Sequence, residues 1–284
     1  DAKATLEELA KALREKNYRS AYKGEIESCK AEWDKEYNRL AEYAYKEEGF
    51  EPLIEERDPR TIPEFVEKTQ GYLTQTAAIA ALRRKMPADG IVITAGGSLP
   101  SCMQRLWTTD SRYAYHAEYG YSCMGYEVAA TLGVKMAEPE KEVYAVVGDG
   151  SFQMTNQELA TCSINKIPIK VCLINNSVLG MVRQWQNLFY GQRYSHTTLN
   201  PDEGEQIPNF EMLATAYGMA ARTVRSIDEV DEAIEWAMSI NDRPVLIDFR
   251  VSKESMVWPM VAAGVSNDEI RYARDMAPDW DLED

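Results

Sequence analysis

A chain of 284 residues with 45% hydrophobic content is long enough for one large or two modest domains around a buried core. Its formal charge of −15, from 31 Lys and Arg against 46 Asp and Glu without a basic cluster, argues against nucleic acid or an anionic membrane surface as partner. No apolar run approaches membrane-spanning length, and the opening DAKATLEELAKAL does not read as a signal sequence. Five cysteines (Cys29, Cys102, Cys123, Cys162, Cys172) without CxxC or ligand-like spacing are expected to be reduced packing thiols in a cytoplasm. Two histidines alone, His116 and His196, argue against a catalytic triad or a His-rich metal site.

Residues 1–70 are charged and helical in pattern. Ile26, Cys29, Trp33, Tyr37, Leu40 and Ala44 recur at helical intervals and predict a helix packed against a neighbour. The polar stretch Glu55 to Pro63, with two prolines, is expected to be a linker, so that a compact domain occupies residues 71–284. Thr74 to Lys85 reads as a helix. Ile91 to Thr94 reads as a strand running into Ala95-Gly96-Gly97-Ser98, small residues that let a ligand approach the backbone, although the same pattern suits a plain strand-to-helix turn. From His116 to Met136, Gly120 and Gly125 flank a loop that opens a helix; Met124 there is either a packing residue or a prop beneath a bent cofactor.

Val143 to Val147 is a buried strand ending in Gly148-Asp149-Gly150-Ser151, with a helix opening near Phe152. Lys170 to Ile174 is another, ending in Asn175-Asn176. The stretch from Asn187 to Pro208 is a long polar-aromatic loop of the kind that covers or lines a site. Asn209 caps a helix that Gly218 ends, Ala220 to Val224 is a strand, and Ser226 with Glu229 forms a capping box. Val245 to Val251 looks buried on both faces, as a parallel strand would be. A second capping box is read at Ser266 and Glu269. This alternation predicts an α/β fold, an open, mostly parallel sheet with helices on both faces, preceded by a helical segment.

The centre of the sequence carries the chemistry. Twenty-four residues, Ser151 through Ile174, separate the GDG from the paired Asn, which is room for a helix and a crossover. In a right-handed parallel unit both strand ends then fall on one edge of the sheet. There Asp149, the Asn176 side-chain amide and the Val178 carbonyl offer three oxygen ligands to a hard cation such as Mg²⁺ or Ca²⁺, phosphate oxygens can supply others, and the helix start favours an anion. An ordinary Rossmann-like turn is the bland alternative.

The segment from Val143 to Trp185 closely resembles enzymes dependent on thiamine diphosphate. Within that class residues 1–150, through ITAGGSLPSCMQRLW and HAEYGYSCMGYEVAATLGVKMAEPEKEVYAVVGDG, resemble trihydroxycyclohexanedione hydrolase of inositol breakdown. Residues 151–284, through FQMTNQELATCSINKIPIK, INNSVLGMVRQWQNLFYGQRYSHTTL and VWPMVAAGVSNDE, resemble the catalytic subunit of acetohydroxyacid (acetolactate) synthase. The resemblance implies that Asp149, Asn176 and the Val178 carbonyl bind Mg²⁺. It implies that Gly97, Ser98, Gly148, Gly150 and Ser151 meet the diphosphate, while Met124 and Met154 support the bent cofactor. Met181, Arg183 and Trp185 are the implied substrate-channel residues. Ser122 and Glu127 depart from the synthase pattern.

Such enzymes take an activating glutamate from a pyrimidine-binding domain that lies N-terminal to everything in this sequence, and residues 1–15 resemble the end of the central domain that would follow it. Glu118 matches no family glutamate, so the resemblance leaves the activating group outside this chain. FAD is implied only for the complete enzyme, mainly in other domains. Three activities follow as expectations. The first is synthase chemistry, in which pyruvate loses CO₂ and is joined to a second 2-oxo acid; the second is hydrolytic opening of a cyclic 1,2-dione. The third is a diphosphate-binding module without turnover, which needs a partner chain for the glutamate. A homodimer or larger assembly is expected because active sites of the family form between chains.

Overall fold

The computed structural model describes residues 1–42, 44–45, 72–109, 111–191, 193–200, 208–253, 256–257, 261 and 264–269. The linker expected at Glu55 to Pro63 lies outside them. The chain divides into two units, Asp1–Arg39 and Leu40–Asp284.

The first unit contains α1 (Ala2–Glu15) and most of α2 (Lys23–Glu42). The Asp1 side chain caps α1 by accepting from the Lys3 amide at 2.9 Å. Propensity and i,i+4 pairs such as Lys3–Glu7 and Lys23–Glu27 support these helices, since α1 buries no residue. The predicted α2 stripe is helical, but Ile26, Cys29 and Trp33 are exposed in this chain, and Ala44 lies beyond the helix in β1 (Ala44–Tyr45). Helical periodicity names the apolar side of a helix without supplying its partner.

In the second unit β1 pairs antiparallel with β2 (Tyr72–Leu73). Thr74 caps α3 (Gln75–Lys85) by accepting from the Ala77 amide. The elements that follow are β3 (Ile91–Thr94), α4 (Leu99–Leu106), β4 (Tyr115–Ala117), α5 (Tyr126–Ala137) and β5 (Val143–Gly148). Next come α6 (Asp149–Thr155), α7 (Glu158–Ile164), β6 (Lys170–Asn175), α8 (Gly180–Phe189), α9 (Phe210–Ala216), β7 (Ala220–Val224), α10 (Ile227–Ser239) and β8 (Val245–Arg250). Six strands form one sheet in the order β4-β3-β5-β6-β8-β7, every neighbouring pair parallel. The expected fold class is therefore observed. Two short helices, not one, cross from β5 to β6.

Strand periodicity divides the core. Val143, Val147, Val171, Leu173 and Leu246 pack toward α5, α6, α7 and α9, where Phe152 meets Phe210 edge to face at 5.5 Å. Residues of the other parity point to the opposite face, where Lys170 donates to the Ile240 carbonyl just past α10 and α10 packs against α3. The Ser226 and Glu229 capping box opens α10 as predicted, and Asn209 caps α9 by accepting from Met212 at 2.8 Å. Of the five cysteines, Cys102, Cys162 and Cys172 are buried as expected, whereas Cys29 and Cys123 are exposed; all five are free thiols.

The strand order fixes where a ligand can sit. After β3 the chain moves outward to edge strand β4, and after β5 it moves the other way to β6. Neighbouring connections that leave in opposite directions open a crevice at the carboxyl ends of β3 and β5.

Candidate diphosphate and metal site

Three loops meet at that crevice. The first, after β3, is Ala95 to Ser98, in which Gly97 has φ +77°, a left-handed conformation suited to glycine. The second is the start of α6, which opens directly at Asp149, so Asp149, Gly150 and Ser151 form its first turn, whose amides lack an intrahelical acceptor and of which that of Gly150 is taken by Asp149 Oδ1. The sequence placed that helix start later, near Phe152. The third is the turn after β6, carrying Asn176 and Val178.

Their proximity is visible in the room around the glycines. A Cβ on Gly96 would lie 3.6 Å from Ser151 Oγ and 3.4 Å from Met124 Cγ. One on Gly180 would lie 2.9 Å from Asn176 Nδ2 and 3.6 Å from Ser98 Oγ, and one on Gly150 would lie 2.9 Å from Leu179 Cδ2 and 3.3 Å from Met124 Cε. At Gly97 a Cβ would meet no atom within 4 Å, and at Gly148 only Leu99 Cδ1 at 4.0 Å. The backbone is thus pressed together between the loops and open above Gly97 and Gly148, which suits an anionic group resting on main-chain amides.

Asp149 is 3% exposed and its Oδ1 accepts from the Gly150 amide at 3.1 Å. Burial pushes its pKa up to about 7; the Gly150 and Ser177 amides oppose the shift and the charge of Asp248 adds to it. Asp248, on β8, is itself raised to about 6 by burial, against the pull of Arg250 and a hydrogen bond with Asn175. Asn176 Oδ1 accepts from the Val178 amide at 3.1 Å, closing a small turn and leaving a second lone pair on that oxygen. No cluster of three or more His, Cys, Asp or Glu able to hold a metal occurs among the described residues. Asp149 and Asn176 bring a carboxylate and a side-chain amide to adjoining loops, and oxygen donors of this kind suit a hard cation that completes its shell with phosphate and water.

The β6–α8 turn is fastened from outside. Val178 bridges Thr198, the Leu179 amide donates to the Thr197 carbonyl at 2.8 Å, and the Leu199 amide donates to the Ser177 carbonyl at 2.8 Å. Gln186, on α8, bonds the backbone of Ser195 and the hydroxyl of Thr197. The part of the predicted covering loop that is described thus serves as a clip on the Asn176 turn.

Met124 and Met154, both partly exposed, lie on either side of Gly125: Met124 reaches over Gly96 and Gly150, and Met154 Cβ backs Gly125 at 2.9 Å from a Cβ placed there. On α8, Met181 and Trp185 are four residues apart and share a face, whereas Arg183 lies half a turn away. Trp185 packs on Phe189 with ring centroids 5.4 Å apart, and the Arg183 guanidinium covers the Tyr194 ring at 4.0 Å. Glu118 accepts from the Tyr121 and Cys123 amides, which hold its carboxyl below the usual range and fold the loop before α5.

Two features escaped sequence reasoning. Asn175, beside Asn176, lines a recess with Asp149, Gln153, Ser177, Asn200 and Arg250. Glu127 is fully buried in the first turn of α5, and its carboxyl bonds to Gly96 and Gly125. An acid two residues after a helix-opening glycine, in an otherwise apolar turn, was the available signal.

A crevice at a topological switch point, flanked by a carboxylate and a side-chain amide, defines a ligand-binding α/β domain. Residues 95–249, more than half of the chain, match the family described as thiamine pyrophosphate enzyme, C-terminal TPP binding domain, and the chain belongs to that family. It is 39% identical to the 3D-(3,5/4)-trihydroxycyclohexane-1,2-dione hydrolase of Clostridium botulinum (strain Alaska E43 / Type E3), over 95% of this chain and 44% of that protein. It is 53% identical over 162 residues to the acetolactate synthase large subunit of Corynebacterium glutamicum, covering 57% of this chain and 26% of the synthase. The thiamine diphosphate-dependent 4-hydroxybenzoylformate decarboxylase of Rhodococcus jostii RHA1 shares the fold, with TM-score 0.58 and 22% identity over 64% of this chain and 33% of the decarboxylase. The chain spans less than half the length of these relatives. No helix among the described residues is long and apolar enough to cross a membrane.

Proposed function

We propose that this chain is the diphosphate-binding part of a thiamine-diphosphate- and Mg²⁺-dependent enzyme that makes or breaks a carbon–carbon bond beside a carbonyl. The supporting observation is the meeting of Gly96–Ser98, Asp149–Ser151 and Asn176 at the β3/β5 crevice, with open space above Gly97 and Gly148. The bound cofactor supplies a carbon nucleophile and an electron sink, and the protein supplies orientation and electrostatics. Asp149, the Asn176 amide oxygen and the Val178 carbonyl would hold the cation; Gly148, Gly150, Ser151 and the Gly97–Ser98 turn would meet the diphosphate. Met124 places apolar atoms against Gly96 and Gly150 and would support the bent cofactor from that side.

For the substrate we infer a 2-oxo acid and acetolactate-forming chemistry. The 53% identity to a synthase over 162 residues and the run Leu179 to Gln186 on α8 support this reading. The hydrolase reading has its own support in relatives aligned over 95% of the chain and in Glu127, which departs from the synthase pattern. The test is to offer the intact enzyme, completed by its pyrimidine-binding domain, pyruvate alone and then the cyclic 1,2-dione. Acetolactate from pyruvate is the expected product. Consumption of the dione without acetolactate moves the assignment to the hydrolase, and inactivity that ends only when a second chain supplies the glutamate identifies a module that works in partnership.

A further inference from the structure

We infer that Glu127 is a positioning residue for the cofactor: its single carboxylate locks the Gly96–Ser98 turn to the Met124–Gly125 loop, so that both meet the diphosphate in one fixed geometry. This inference rests on the thiamine-diphosphate reading of the site.

Glu127 is 0% exposed in the first turn of α5. Oε1 accepts from the Gly96 amide at 3.1 Å and Oε2 from the Gly125 amide at 3.1 Å. The first of these partners lies in the loop after β3 and the second at the mouth of α5, so the carboxylate spans two separate chain segments. The connection continues beyond them. Gly125 has φ +94°, and a Cβ there would come within 2.8 Å of Thr155 Cγ2 and 2.9 Å of Met154 Cβ. Thr155 Oγ1 donates to the Gly125 carbonyl at 2.6 Å, which ties the same residue to the end of α6. Met124, immediately before Gly125, reaches over both Gly96 and Gly150. Glu127 therefore joins the loops on either side of the crevice that Asp149 and Ser151 face.

Both carboxyl oxygens of Glu127 act as acceptors here. Burial works against its charge and raises its pKa, while the amides of Gly96, Gly125 and Ala95 favour the anion. A carboxamide of the same shape offers one acceptor oxygen and turns an NH₂ toward the other amide, so one bridge is replaced by two opposed donors. Losing one charge-assisted hydrogen bond from a preorganised site is expected to weaken cofactor binding about tenfold or more.

The experiment titrates Mg²⁺-loaded intact protein with thiamine diphosphate, followed by tryptophan fluorescence, in wild type, Glu127→Gln, Glu127→Asp and Asp149→Ala. Glu127→Gln should bind thiamine diphosphate about tenfold or more weakly, with Glu127→Asp also weakened because its shorter stem cannot reach both amides. In the cofactor-free protein, amide exchange should accelerate at Gly96 and Gly125 while the rest of the sheet keeps its protection, a local signature that general destabilisation does not give. Wild-type affinity in folded Glu127→Gln overturns the inference. If that variant does not fold, Glu127→Asp decides on the same criterion. If instead Asp149→Ala retains metal-requiring affinity, the reading of the whole site has failed; loss in Asp149→Ala with none at Glu127 rejects the positioning role alone.

Discussion

Glu127 and Asp149 both open helices at the carboxyl edge of the same sheet, and burial raises both, yet their surroundings differ. Glu127 has a backbone amide on each oxygen. Asp149 accepts from Gly150 and lies close enough to the buried Asp248 for the second acid to push its pKa further up. A buried carboxyl with an amide on each oxygen holds backbone in place, the amides opposing the upward push of burial on its pKa. Two neighbouring buried carboxylates disfavour each other's charge, an effect that Arg250 beside Asp248 opposes. Environment thus separates an acid that ties two loops together from one in a buried, like-charged setting, the acid proposed above as the metal ligand.

The largest expected effect comes from removing the proposed metal ligand. Asp149→Ala should lower metal-dependent thiamine diphosphate affinity on the order of a hundredfold or more, measured by calorimetric titration with and without Mg²⁺. Undiminished affinity with an intact metal requirement would erase the distinction between the two acids. Next, Gly180→Ala places a Cβ 2.9 Å from Asn176 Nδ2 and should displace that side chain. The Mg²⁺ concentration that half-saturates cofactor binding should rise about tenfold, with secondary structure retained by circular dichroism.

A smaller effect concerns pH. Asp149 and Asp248, raised mainly by burial to about 7 and about 6, keep protons in the folded protein at pH values where the unfolded chain has released them. The stability they contribute to the metal-free protein is present below the ordinary carboxylate range and is lost as pH rises through about 6 to 7. Thermal midpoints of chelator-treated protein should therefore fall between about pH 5 and pH 8, and Asp149→Asn should flatten that slope. A wild-type slope in the variant places the titrating group elsewhere. The smallest change is expected for Asp248→Asn, which removes the like charge beside Asp149. Metal binding should then begin at a lower pH, with affinity at neutral pH altered by less than about tenfold.

The same contrast explains what sequence reading reached. Asp149 and Asn176 were legible because each closes a buried β-branched strand, and the 24 intervening residues constrain both ends to one edge. Strands β3 and β7 appeared with their observed limits for the same reason, continuous local pattern. Glu127 was not legible as a support because its partner Gly96 lies 31 residues earlier, and no local period encodes a carboxylate spanning two loops. Strand β4 was missed because Tyr115 to Ala117 is a three-residue edge strand of half-buried residues with no alternation to read. Of the α2 stripe, Leu40 is buried while Ile26 and Trp33 are exposed, since amphipathicity describes one surface and says nothing of what covers it.

The clip on the β6–α8 turn carries one more implication. Asn176 stands on a segment whose backbone is laddered to Thr197, Thr198 and Leu199, and the same stretch is gripped by Gln186 of α8. Any change that loosens residues 197–199 therefore also loosens the backbone on which Asn176 stands, so the far side of this turn governs how firmly that amide is placed.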